Sequence, residues 1–561
     1  MISSNKEARR SHVNATQNRH PGSDQLLRNS VPPDPGVFWK NADRIINRTT
    51  TERCKMKIVS IVVFLFLFSA LLQAQDAGIA YISSGLATGK NRQPSKRVTN
   101  LSSDSISALA QTTSGDTVRY NMYGDLREDN PEYNQKSPWW LCAIRLVGNN
   151  VVTWTFDRYA FNADYARIGP DTWKHNLRTG PVWDTDRFGM NYFFHPYSGA
   201  GYFNAARANG YNFYESLPFT LGGSLMWEYF GENTLPSVND LINTTVTGAF
   251  LGEISYRLSS DFLDDRTTGS ERVFRELFAG VIDPSRFVSR LLQGKLSRVT
   301  SEEIYQKEPL NMTFSAGTRW VNDGRSFGTG SISEALTLHL DYGNPFERRS
   351  RKIFDYFKLR ADLSFGVGRK IIDNVIGHGI LFGKNIQSGN LEMLIGGFQH
   401  YDFWDNKTFE LGTIAFGGGM ISKLPVSENS NLYFDVHLGV VPLAGNSTRL
   451  GPDTTQFIDY NYGGGLETKF ESTLNLGGWA SVTFRGYYYW IHTYVGNMGD
   501  NFIGIIKPSI AFRLVDNLSL GFEQLVYYSD RYPRDFADVH DVRTEQKIFL
   551  QYYIDNFKQE R

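Results

Sequence analysis

The sequence predicts an α+β protein that is mainly antiparallel β. It reads as an outer-membrane-type barrel of about twelve strands at the C-terminus, preceded by a helical plug or periplasmic domain. Three observations predict this. A secretory-signal pattern begins at Met56, helical spacing of apolar residues governs residues 137–300, and from residue 311 the apolar period drops to two.

Composition narrows the classes of function. The 58 basic and 58 acidic side chains cancel, so no bulk attraction to nucleic acid is expected. Aromatic residues make up 14% of the chain and glycines number 52, a mixture that fits many short strands facing amphipathic surroundings. With only Cys54 and Cys142 there is no disulfide framework.

Residues 1–55 are polar, rich in Arg, Asn and Ser, and read as disordered or as an extension upstream of a true start at Met56. Residues 56–75 have the layout of a signal peptide: Lys57, an apolar run over 58–72, then Leu72-Gln73-Ala74 as a cleavage site. Residues 76–136 are a flexible lead-in rich in Ser, Thr, Asn and Asp. The helical domain spans 137–300, where Trp139, Trp140, Leu141, Ile144, Val147 and Val151 form an apolar stripe. Residues 311–561 form the barrel. Phe357, Leu359, Ala361 and Leu363 alternate with Lys358, Arg360, Asp362 and Ser364, and Leu432, Phe434, Val436 and Leu438 alternate with Tyr433, Asp435, His437 and Gly439. Segments of about ten residues fit tilted crossings of a bilayer, and Tyr487-Tyr488-Tyr489-Trp490 fits an interfacial girdle.

The chemistry-bearing residues concentrate in the helical domain. SLMWEYFGENTLPSVNDLINTTVTGAFLGE (224–253) sets Glu228, Glu232, Asp240 and Glu253 among apolar and small residues. Ser237 is placed to cap a helix, with Asp240 three positions on. Asp240, Thr244, Gly248 and Gly252 then make a stripe of short side chains that a partner helix can approach, with Gly222 and Gly223 as its expected counterpart. Crowded carboxylates can share a proton, so His195, Glu228, Glu232 and Asp240 are the candidate catalytic residues. Arg207, Trp227, Asn239, Thr244 and Glu253 are the candidate ligand-binding residues, and pairing with a buried Glu is the simpler role for Arg207. No HExxH, CxxC, P-loop or dinucleotide fingerprint occurs, so no metal ligand set is assigned and the cofactor is left open.

Three blocks in order, HPYSGAGYFNAARANG, GSLMWEYFGE and PSVNDLINTTVTGAFLGE, make residues 135–265 resemble the uncharacterised family DUF3943. The resemblance implies an exported Gram-negative protein, often of Bacteroidetes type, and brings no activity with it. The expected location is the outer membrane, with membrane lipid as a partner. The expected role is binding or transport of a small or lipid-like envelope molecule. The alternatives are a hydrolase or lipid-modifying enzyme using His195 with Glu228, Glu232 and Asp240, and a structural envelope protein.

Overall fold

The computed structural model describes residues 135–561, apart from 185–187, 302, 323–329, 348–351, 366–370, 407–408, 449–458 and 556–561. The expected N-terminal extension, the signal peptide and nearly all of the lead-in lie outside the described residues. Period-two alternation becomes twelve strands. β1 is Leu310–Asn322, β2 Gly330–Tyr342, β3 Phe357–Phe365, β4 Ile372–Ser388, β5 Leu391–Asp405 and β6 Glu410–Ser427. β7 is Ser430–Thr448, β8 Asp459–Leu476, β9 Ala480–Val495, β10 Gly499–Val515, β11 Leu518–Pro533 and β12 Val539–Ile554. Neighbours pair antiparallel throughout, and β1 pairs with β12 to close the barrel.

Both ends of the barrel chain, Leu310 and Ile554, share one rim, as an even number of antiparallel strands requires. Four of the five connections at that terminal rim are tight, two residues at 389–390, 428–429 and 516–517 and three at 477–479, while the fifth runs over 343–356; the far rim has one as short, 496–498. The lumen is identified by ion pairs between strands that are not neighbours, such as Lys507 on β10 with Asp362 on β3 at 3.1 Å. Alternation then fixes the other face. Phe314, Leu336, Phe484, Phe512, Phe522 and Leu550 point outward and are exposed. A charged lumen inside an apolar exterior is the inverse of a water-soluble sheet and the pattern of a barrel that faces lipid.

The helical region contains α1 Trp139–Thr155, α2 Pro170–Thr179, α3 His195–Arg207, α4 Phe213–Met226, α5 Val238–Phe262, α6 Gly269–Ile282 and α7 Pro284–Leu292. Local chemistry sets their ends. Asn212 and Glu215 form a capping box at α4, and the Ser237 hydroxyl accepts from the amide of Asp240 at α5. The small-residue stripe of α5 does meet a helix closely, but that helix is α3 rather than the expected α4. A Cβ on Gly199 would lie 2.0 Å from the carbonyl oxygen of Thr244, and one on Gly248 would lie 2.6 Å from Cα of Gly199. Gly223 is covered by the Tyr202 ring of α3, while Gly222 has open space around it.

The expected placement of the helices, inside the lumen or beneath its mouth, is corrected by where they touch the barrel. Phe188, Tyr192, Phe250, Ile254 and Leu258 form one core with Val375, Tyr401, Phe403, Ile414 and Leu443. On β5, His400 and Asp402 point into the lumen, so Tyr401 and Phe403 point out. Gln399 donates from Nε2 to the carbonyl of Val246 at 3.1 Å, also from the outer face. The helices therefore lie against the outer wall. At 25 residues, α5 is about 37 Å long, enough to run the height of the wall. Aromatic side chains outside the barrel drive this, since a plug would have to pair with the charged lumen instead.

Because Gly199 and Gly248 touch through backbone, G199V and G248V are each expected to destabilise the α3–α5 crossing by about 1–3 kcal/mol. Limited proteolysis should then cut the helical domain while the barrel keeps its heat-modifiable gel migration. Unchanged protease resistance would count against the crossing.

Candidate functional site

The lumen divides into two halves. Toward the far rim, Trp404, Tyr489, Ile491, Ile505, Leu525 and Tyr527 are buried in one cluster that fills the interior. A hydrogen-bonded ladder crosses beneath it. Trp404 Nε1 donates to the Tyr489 hydroxyl at 3.1 Å, that hydroxyl donates to Asp402 Oδ2 at 2.9 Å, and Lys469 Nζ donates to Asp402 Oδ1 at 2.8 Å. Arg319 closes the same level by pairing with Asp373 and with Glu545 at 3.3 Å. Side chains of both kinds thus occupy the bore, and Lys469 with Asp402 and Arg319 with Asp373 and Glu545 bring opposite charges together there.

Toward the terminal rim the lumen opens into a cavity of about 700 Å³, walled by strand residues and by residues of the rim connections such as Asn429, Gly478 and Asp516. Its wall alternates in sign. Lys358 pairs with Asp435 at 2.7 Å and Glu471 at 3.2 Å, Arg485 pairs with Glu471 at 2.8 Å, and Arg360 pairs with Asp341 at 2.7 Å. The cavity therefore offers donors and acceptors of both charges, seven basic and six acidic side chains, too even a mixture to select a simple anion or cation.

The four carboxylates singled out by the sequence, Glu228, Glu232, Asp240 and Glu253, fall into two separate groups. In the first, Glu228 Oε2 accepts from the backbone amide of Ser237 at 2.8 Å, and Ser237 caps α5 through the amide of Asp240 at 3.1 Å. Asn239 accepts from the amide of Asp184 at 3.0 Å and donates to Asp240 Oδ1 at 3.2 Å. This is the start of a helix being satisfied, with negative charge at its positive end. Trp227 and Glu228 lie in a π-turn, Trp227–Gly231, so the four-residue spacing from Glu228 to Glu232 does not put them on one α-helical face. Trp227 lies across Gly231, and Glu232 is half-buried beyond the turn.

In the second group, Arg207 grips Glu253 with two hydrogen bonds, Nε to Oε2 at 2.8 Å and Nη2 to Oε1 at 3.2 Å. Arg257 adds a bond from Nε to Oε1 at 2.8 Å, and all three side chains are buried. Arg207 also stacks on Tyr256, with its guanidinium carbon 4.0 Å from the ring centre. Pairing within the domain is thus the role the structure gives Arg207 and Glu253. Thr244 is buried at the α3 crossing, and His195 opens α3 half-buried, one turn before Gly199.

Sequence reasoning missed the polar residues at the floor of the cavity. His378, His400 and His437 lie on β4, β5 and β7, with Asp435 two residues from His437 on the same face. Asp435 and His437 appeared only as inward positions of an alternating strand, which was the available signal. Nothing local to His378 announced that it meets them.

Comparison with solved structures returns outer-membrane proteins at low identity. An outer membrane channel from Pseudomonas putida F1 is 5% identical, with TM-score 0.25, covering 44% of this chain and 96% of that one. The outer membrane channel DcaP of Acinetobacter baumannii is 8% identical, with TM-score 0.22, covering 44% and 96%. OmpT, an outer membrane protein of Vibrio cholerae, is 8% identical, with TM-score 0.21 and the same two coverages. No curated protein matches the chain.

Replacing Glu253 leaves two buried guanidinium groups uncompensated, so E253Q is expected to cost about 3–5 kcal/mol in the helical domain. Chemical denaturation followed through the helical signal measures it, and a loss below about 1 kcal/mol would contradict a buried, paired triad. The family model for DUF3943, a domain of unknown function, matches residues 180–285, which hold both carboxylate groups. The chain thus carries a DUF3943 domain, seated on the outer wall of a closed twelve-strand barrel.

Proposed function

We propose that this chain is an outer-membrane protein whose barrel forms a one-ended chamber for a small polar or zwitterionic envelope molecule. The observation that carries the reading is the asymmetry of the lumen. A mixed-charge cavity of about 700 Å³ reaches the terminal rim, while aromatic and aliphatic side chains fill the bore beyond it. A barrel filled in this way binds before it conducts, and transport requires the Trp404–Tyr489 layer to move. Tight connections at four of the five links on the terminal rim support assigning it to the periplasmic side, as in barrels whose periplasmic turns are tight.

Membrane placement extends to the helices, because their burial pattern is inverted. On α7, Arg286 and Arg290 are 5% and 4% exposed while Leu292 is 67% exposed. On α4, Ser216, Thr220 and Ser224 are buried while Leu221 and Leu225 are exposed. On α1, Trp139 and Ile144 are 68% and 58% exposed while Asn150 is buried. A water-soluble domain does the opposite. Among the described residues no single helix is long and apolar enough to cross a membrane. A packed domain with its charges paired inside and apolar side chains outside meets the same solvent requirement collectively. In this reading the helical carboxylates hold the domain together, and His195, Glu228, Glu232 and Asp240 do not act as a catalytic set.

Two experiments test these readings. Reconstituted in planar bilayers, the native protein is expected to show little steady conductance. W404A with Y489A should raise that conductance and liposome swelling with small amino acids, and a native protein that conducts as an open pore would sink the chamber. For the helices, Trp139 and Trp140 should be quenched by lipids brominated on their acyl chains. I144K should cost about 2–3 kcal/mol if that face meets hydrocarbon, whereas quenching by aqueous iodide instead would place the helices in water.

A further inference from the structure

The floor of the chamber holds a set of side chains with the chemistry of a metal site, and the argument starts from hydrogen-bond donors. Glu467 Oε1 contacts His400 Nδ1, His400 Nε2 lies 3.2 Å from His437 Nδ1, and His437 Nε2 lies 2.5 Å from Asp435 Oδ1. The four groups make a line with three links. A neutral imidazole has one N–H, so two imidazoles supply donors for two links only. Carboxylates terminate the line at both ends and bring no donor when ionised. One link is therefore short of a hydrogen, and a cation at the Asp435 end would complete the line without one.

A third ligand points to that end. His378, on β4, places its Nε2 3.6 Å from Asp435 Oδ2, and this buried nitrogen has no hydrogen-bond partner. The ligand atoms of His378, Asp435 and His437 all lie within 4.8 Å of one another. A small cavity lined by all three, and by Lys358 and Asp402, gives access for an ion and a water. Lys358 is the competing cation, since its ammonium holds Asp435 Oδ2 at 2.7 Å.

We propose that His378, His437 and Asp435 bind a first-row divalent transition-metal ion, with His400 and Glu467 as the supporting shell. Two imidazoles and one carboxylate with an open fourth position is a donor set suited to Zn²⁺, and imidazole also serves its neighbours in the series. With the ion on His437 Nε2, the hydrogen of His437 moves to Nδ1 and is donated to His400 Nε2. His400 then donates from Nδ1 to Glu467. Each link now has its donor, and the liganding histidine is oriented by a second imidazole and a carboxylate. Because the three ligands come from β4 and β7, the ion would also tie two strands that do not pair with each other. The site does not depend on what the chamber binds.

The test uses full-length protein in detergent, stripped with a chelator and titrated with Zn²⁺ by calorimetry, with Co²⁺ absorption as a second readout of histidine ligation. Native protein is expected to bind one ion per chain. H378A, which removes a nitrogen that has no partner to orphan, should keep the heat-modifiable migration of a folded barrel and lose that binding. E467Q should weaken it by about 10–100-fold, as loss of an outer-shell partner does. Absence of stoichiometric Zn²⁺ binding by the folded native protein would overturn the site, and so would H378A binding Zn²⁺ as the native protein does.

Discussion

The hydrogen-bonded seam between β1 and β12 is the interaction on which the rest of the structure depends. Met312 pairs with Ile554 and Val321 with Glu545, in unbroken antiparallel register between them. Without that seam the first and last strands would each present a row of unpaired amides and carbonyls, which hydrocarbon cannot satisfy. Closure also creates the two surfaces that decide everything else. Each strand must send one set of side chains outward to an apolar solvent and the other inward to a confined space. Inside, charges such as Lys507 and Asp362 reach across the bore and neutralise each other. Outside, tyrosine and phenylalanine at 401 and 403 become a platform for helices.

The helical domain obeys the same rule in another geometry. Its interior is polar because Arg207, Glu253 and Arg257 satisfy one another, and because Ser237 and Glu228 satisfy the amides at the start of α5. Its contact with the barrel is mainly apolar, with a few hydrogen bonds such as that from Gln399 to the Val246 carbonyl. That division lets one surface of the domain meet the wall while another stays apolar on helices such as α1 and α4. The glycines at 199 and 248 matter here, since they let the backbones of α3 and α5 touch.

Much of the barrel was legible in the sequence because alternation is a local property. Lys358, Arg360 and Asp362 between Phe357, Leu359, Ala361 and Leu363 state which face is which without knowledge of any neighbour. The Ser237 cap was legible for the same reason, being written within four residues. Most relations between elements failed to show, the pairing of Arg207 with a buried Glu being the exception. The apolar stripe of α1 was visible, but not that Trp139, Trp140, Ile144 and Val151 on it are exposed, since a periodic stripe does not say what it faces. Nothing local to Gly199 says that it is the contact for α5. Glu228 and Glu232 read as one face until the π-turn at Trp227–Gly231 altered the phase. His378 could be joined to Asp435 and His437 only through the curvature of the closed barrel.

The lumen shows why charge alone does not make a pore. Its inward residues include Lys358, Arg360, Arg485, Asp435 and Glu471, enough charge to hold water. These groups are spent on one another, in pairs at 2.7 to 3.2 Å. Each such pair draws the wall inward, and the aromatic layer of Trp404 and Tyr489 is hydrogen-bonded to the same network through Asp402. The filled half and the polar half are therefore one connected structure. A molecule that enters from the terminal rim and competes for Lys358 or Glu471 would act on the pairs nearest the histidine floor, where Asp435 is shared between Lys358 and His437. That shared carboxylate joins the cavity wall, through Lys358, to the buried line of histidines, through His437.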